Sequence, residues 1–145
     1  MFFPEFLYKL SQRDEQVTWL DPSYGNGDNS AANVSVAQDL IVVPVDRALV
    51  LQSVSVFADP GAGQNVVSMF VRVQAPGTAA EFRLAQELTN TVADEEAFIN
   101  WSGSIIVPPG WRVNAAANFN AGVNANRVLG DTIGILIPIG NIQRV

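Results

Sequence analysis

Apolar positions follow two different regimes along the chain. Near the start, Phe3, Phe6, Leu7 and Leu10 recur at helical spacing. Pro4 suits a first helical turn and Glu5 suits the positive end of the helix dipole, so a short amphipathic helix is expected over 4–14. A helix of that length is marginal alone in water, and its apolar stripe needs a surface to dock on. The stretch SYGNGDNSAANVS (23–35) then reads as a flexible or irregular link. From Asp39 onward the period changes to two. Leu40–Val45 is a β-branched run. In 49–58 both alternating sets are mostly apolar or small, as in a strand with neither face fully wet. Val67, Met69, Val71 and Val73 share one side of a half-buried strand. Further strands are expected around Phe82–Ala85, Ser104–Val107, Trp111–Phe119 and Ile133–Ile139. In the last of these, Ile133, Ile135, Ile137 and Ile139 line one face and Gly134, Leu136 and Pro138 the other.

Asp59-Pro60-Gly61-Ala62-Gly63, Pro76-Gly77, Pro108-Pro109-Gly110 and 120–126 separate these strands as turns or loops. Short strands every 8–15 residues, with no long helical pattern between them, predict an all-β antiparallel sandwich of seven or eight strands, jelly-roll-like. The expected division is an N-terminal arm and linker over 1–38 and a sandwich domain over 39–145. The expected core is Leu51, Val54, Val56, Val71, Val73, Val113, Ile135 and Ile137.

The chain has 145 residues, room for one domain, and 48% of them are hydrophobic while only 15% are charged. So little charge on a small globule points to surface hidden against neighbours. Eight Lys and Arg against fourteen Asp and Glu leave a net charge of −6, which argues against binding a phosphate backbone. No apolar run is long enough to span a membrane. The start lacks the basic region and cleavage site of a signal peptide, so export by that route is not expected.

The absence of Cys and His removes thiolate, disulfide, Cys/His zinc and imidazole chemistry. No cofactor, metal or catalytic residue is expected, and the protein is read as non-enzymatic. Lys9 is the only lysine, and nothing near it suggests a Ser–Lys dyad. Asp94, Glu95 and Glu96 offer oxygens for Ca²⁺, but consecutive carboxylates converge poorly and read first as a solvated loop. Gly61-Ala62-Gly63 is a hairpin turn rather than a phosphate loop, because no helix pattern follows. Trp101 and Trp111 stand at strand ends, where aromatic rings can stack on sugars. Set against that, Trp111 entering the core and Trp101 covering its edge is the simpler reading. The asparagines between 114 and 126 suit loop backbone groups or an uncharged interface.

VPVDRALVLQSVSV (43–56), WSGSIIVPPGWRVNAAA (101–117) and IGILIPIGNI (133–142) together resemble the small β-sandwich virion proteins of tailed bacteriophages. The resemblance covers roughly 40–142 and departs in having Val45-Asp46 where Ala-Gly is usual. It implies a capsid decoration (cement) protein on the outer capsid surface of the virion, made in the host cytoplasm. Its partners would be the major capsid protein and further copies of itself. A homotrimer is expected, and neither nucleic acid nor membrane is expected as a partner. A fibre or head–tail component, or a carbohydrate-binding module for host attachment using Trp101 and Trp111, is the alternative. Phe2, Phe3, Phe6, Leu7 and Leu10 are the expected docking-arm contacts, on a capsid subunit, a neighbouring copy or the chain's own body.

Overall fold

The computed structural model describes residues 22–77 and 80–139. The chain runs through eight strands: β1 (Pro22–Ala31), β2 (Ser35–Val42), β3 (Arg47–Asp59), β4 (Val66–Gln74), β5 (Glu81–Leu88), β6 (Ala97–Val107), β7 (Arg112–Phe119) and β8 (Asn126–Pro138). They form two four-stranded antiparallel sheets in the orders β1-β8-β3-β6 and β2-β7-β4-β5. The expected helix over 4–14 lies outside the described residues.

The core fills the space between the sheets. Leu49, Leu51, Val54 and Val56 of β3 meet Met69, Val71 and Val73 of β4 and Val113, Ala115, Ala117 and Phe119 of β7. Leu51 and Val54 both point inward although they are three residues apart. A register shift between Leu51 and Ser53 adds a residue and restores the alternation.

Two expectations need correction. The first is the link over 23–35, and with it a sandwich starting at 39. Residues 22–31 are strand β1, paired along its whole length with β8. Its glycines are there because β2 crosses close by at this corner. A Cβ on Gly25 would lie 2.5 Å from the Leu40 carbonyl oxygen, and one on Gly27 would lie 2.7 Å from that of Asp39.

The second correction concerns Ile135 and Ile137: Ile137 is buried as expected and Ile135 only half so, but neither belongs to the inter-sheet cluster. The inward row of β8 is Val128, Gly130, Thr132, Gly134 and Leu136, so the isoleucine row faces outward. Close packing sets this choice. A Cβ on Gly134 would lie 2.7 Å from Leu49 Cδ1 and from the Val50 carbonyl oxygen, so the core has no room there for a larger side chain.

One end of the sandwich is clamped by a buried asparagine. Asn126 Oδ1 accepts the Gly61 N–H (2.8 Å), and its amide nitrogen donates to the carbonyls of Asn33 (2.8 Å) and Ala121 (2.9 Å) and to Gln64 Oε1 (3.1 Å). One side chain thereby joins the β1–β2, β3–β4 and β7–β8 connections. Asn120 and Asn124 add bonds to Asn65 N–H and the Ala62 carbonyl, the loop role expected of these amides.

Candidate docking face

The two outer faces of the sandwich differ in chemistry. On the β2-β7-β4-β5 sheet a polar ladder runs across the outward side chains, with Arg112 Nε left buried without a hydrogen-bond partner and Val42 and Leu88 exposed at the margins. Asp39 accepts from Arg112 Nη1 (3.0 Å) and Asn114 Nδ2 (2.9 Å), and Asn114 Oδ1 accepts from Arg72 Nε (2.9 Å). Arg72 also pairs with Glu81, whose other oxygen accepts from Arg83 Nε (3.0 Å). Both arginines flank the Phe70 ring, at 5.2 and 4.3 Å from its centroid. Hydrogen bonds from Arg72 and Arg83 hold the Glu81 carboxyl below the usual carboxylate range. Three guanidinium groups share two carboxylates here, Arg72 and Arg83 both resting on Glu81 and Arg112 on Asp39, so most of the charge is already engaged within the sheet.

The outer face of the β1-β8-β3-β6 sheet is largely apolar. Cross-strand register places Ala48, Val50 and Phe57 of β3 beside Ile137, Ile135 and Leu129 of β8 and beside Phe98 and Ile106 of β6. Ser55, Asn100, Ser102 and Asp131 make a polar waist across it. Phe98 is 69% exposed, Ile106 43% and Ile133 40%. Apolar surface gathered on one face marks an interaction site more often than a solvent surface. At the β1 edge Arg127 forms a two-pronged pair with Asp28 (2.9 and 2.7 Å), which lowers the Asp28 carboxyl pKa and raises that of the guanidinium.

Phe2, Phe3, Phe6, Leu7 and Leu10 lie outside the described residues. Trp101 and Trp111 are both partly buried against the core, Trp101 opposite Val54 on β6 and Trp111 beside the Pro108–Gly110 turn. Trp101 is on a strand, whereas Trp111 lies in the β6–β7 connection. The acidic residues 94–96 do lie in a loop, where two of them tie backbone: Asp94 accepts the Gly63 N–H (2.6 Å) and Glu95 accepts the Val92 N–H (3.1 Å). Among the described residues no group of three His, Cys, Asp or Glu is placed to hold a metal ion. Gly61-Ala62-Gly63 is the β3–β4 turn, closed by Gln64 N–H to the Gly61 carbonyl (2.9 Å). The sequence reading marked 49–58 and 133–139 as apolar on both faces, but it turned Ile135 and Ile137 inward and did not single out Val50. The signal was present as the two apolar sets of 49–58, but nothing in it says which set faces out.

No protein-family model matches the chain, and no curated protein matches its sequence. Among solved structures, it is similar to a chain in the acid-stable capsid of Helicobacter pylori bacteriophage KHP30. The identity is 15% over 82% of this chain and 91% of that one, with a TM-score of 0.49. It is also similar to a chain of the cyanophage Pam1 capsid asymmetric unit, with 13% identity, 86% and 94% coverage and a TM-score of 0.47. A lipoprotein from Bacteroides thetaiotaomicron matches at 11% identity, 88% and 91% coverage and a TM-score of 0.48. The neighbours thus include phage capsid chains at low identity. Among the described residues no helix is long and apolar enough to cross a membrane.

Proposed function

We propose that the protein is a structural, non-enzymatic virion component of a tailed bacteriophage: a capsid decoration protein that docks on the outer capsid surface and stabilises adjacent capsomers. The observation that carries this reading is the contrast between the faces. One is crossed by paired arginines and carboxylates, with Val42 and Leu88 exposed at its margins, and the other gathers Phe98, Ile106 and Ile133 with the buried Val50 and Ile137 on a sheet whose charges lie only at its waist and edge. A decoration protein needs a stiff body and a low-charge contact face, and it needs no pocket. The strand order β1-β8-β3-β6 against β2-β7-β4-β5 supports a jelly-roll-like topology, an architecture that recurs in viral capsid domains. The virion-protein resemblance over roughly 40–142 supports the same role. Closing three copies around an axis would bury apolar surface that a monomer leaves wet.

The test is cosedimentation with empty capsids, alongside sedimentation of the free protein. The full chain is expected to pellet with capsids and to run as a trimer at tens of micromolar. Ile133→Asp, on the exposed part of the face, is expected to stay folded and to lose capsid binding. Full retention of binding by that variant would refute the face, and failure of the unaltered chain to pellet would refute the role.

A further inference from the structure

The apolar outer face is unevenly covered along its length. Outward positions on β3 run Ala48, Val50, Ser53, Ser55 and Phe57, and those on β8 run Ile137, Ile135, Ile133, Asp131 and Leu129. At the Pro138 end, Ala48, Val50 and Ile137 are 3%, 1% and 1% exposed. Midway, Ser55 and Asp131 are exposed. Neighbours within a sheet shield a side chain only from the sides, so a valine that points outward and is 1% exposed needs a cover from above. All eight described strands lie in the two sheets, and the facing sheet packs on the opposite side.

We propose that residues 1–20 of the same chain seat on this end of the face, setting Phe3, Phe6, Leu7 and Leu10 against Val50, Ile135 and Ile137. Position supports this occupant: the segment leads into β1 at Pro22, whose register partner is Ile135, in the middle of the covered patch. Reach is sufficient, because residues 11–21 span up to about 40 Å when extended. The chemistry is complementary: a helical stripe too short to persist alone meets an apolar patch that needs cover. The other terminal segment, 140–145, carries only Ile142 and Val145 as large apolar residues. The tether favours the chain's own sheet over a neighbour's, since a short linker sets a local concentration on the order of millimolar. The docking surface is then composite, made of the seated segment and the open remainder at Phe98, Ile106 and Ile133. This seat stands independently of what the assembled face binds.

The chain has no cysteine, so introduced pairs report without background. The full chain carrying Leu7→Cys and Ile135→Cys is oxidised mildly at low micromolar concentration and run on a non-reducing gel. A control carries Leu7→Cys with Ala37→Cys, Ala37 being exposed on the opposite sheet. A closed monomer is expected at least about tenfold faster than in the control. Disulfide-linked dimers would place the segment on a second copy and overturn the proposal. Equal rates in the two pairs would overturn it too, leaving the patch to an external partner. A measurement without cysteines guards against misfolding of the pairs. The full chain with Phe6→Ser and Leu7→Ser is expected to bind a hydrophobic dye several-fold more than the unaltered chain, and unchanged dye binding would overturn the seat.

Discussion

Replacing Asn126 by alanine tests whether the clamped end of the sandwich holds the fold together. The side chain is fully buried, and its amide serves one donor and three acceptors from three separate connections. Truncation strands the Gly61 N–H, the Gln64 Oε1 and two backbone carbonyls. Each buried polar group left without a partner costs roughly 1–3 kcal/mol. The vacated space is about the size of one water, which can serve two or three of the four groups. One or two groups stay without a partner, so the net loss is about 1–6 kcal/mol, against the roughly 5–15 kcal/mol typical of a domain. Equilibrium urea unfolding followed by tryptophan fluorescence measures it. Asn126→Asp sharpens the test, because it keeps the acceptor and turns the donor into a second acceptor facing three oxygens. Burial among acceptors raises the folded-state pKa of that carboxyl above its unfolded value. The variant should therefore be most stable at acid pH and weaken as pH rises toward neutrality. A loss below about 1 kcal/mol for Asn126→Ala, or a flat pH profile for Asn126→Asp, would refute the clamp.

Gly25→Ala is expected to destabilise by about 1–3 kcal/mol in the same assay, because the added methyl meets the Leu40 carbonyl at 2.5 Å. Where space allows, Gly to Ala usually stabilises by about 0.4–1 kcal/mol, so the sign alone decides whether β2 crosses as closely as described. Thr132→Val removes the hydroxyl that accepts the Gly25 N–H at 2.9 Å and should cost about 1–3 kcal/mol with little change in volume. Asp28 and Glu81 both have folded-state pKa values lowered by arginine partners, so their contribution is present above the unfolded carboxylate pKa and is lost as pH falls through the folded value. Both are exposed. The difference between the unaltered chain and Asp28→Asn should therefore be small at pH 7, shrink with added salt and vanish at strongly acid pH; a difference that grows on acidification would contradict the pairing.

Period-two patterning made the sandwich legible, and it placed Leu51, Val54, Val56, Val71, Val73 and Val113 correctly between the sheets. It failed at β1 for a local reason. Gly, Asn and Ser signal a link when they are free to move, but Gly25 and Gly27 sit in a strand because another backbone passes within about 3 Å of where their side chains would be. It failed at β8 for a more instructive one. Ranking the two faces by hydrophobicity selects Ile135 and Ile137 as core, whereas the inward row is Val128, Gly130, Thr132, Gly134 and Leu136. A strand carries no internal mark of which side is buried when both sides are apolar or small, and the choice between faces moves every side chain at once. The clamp at Asn126 joins positions up to 93 residues apart in sequence, and no spacing rule brings such residues together.

The inverted row on β8 connects the core to the docking face. The core side of this sheet is constrained by the approach of β2 and by Leu49, and it accepts glycine at 130 and 134 where a larger residue would push the sheets apart. Burial between the sheets therefore draws on β8 through Val128 and Leu136 and not through its three isoleucines, although these lie within five residues. A strand whose outward positions are freed from filling the core would be expected to carry polar residues there, as the partner sheet does with Arg72, Asn114 and Glu81. It carries isoleucine instead, beside Val50 and Phe57 of β3 and opposite Pro22 where the chain enters β1. Those outward residues add nothing to packing between the sheets. Their burial must come from chain or partner laid over the sheet, so the apolar choice at these positions is a choice about contact and not about folding of the sandwich. Substituting them should separate the two: Ile133→Asp acts on binding, while Val54→Asp, inward on β3, acts on the fold itself.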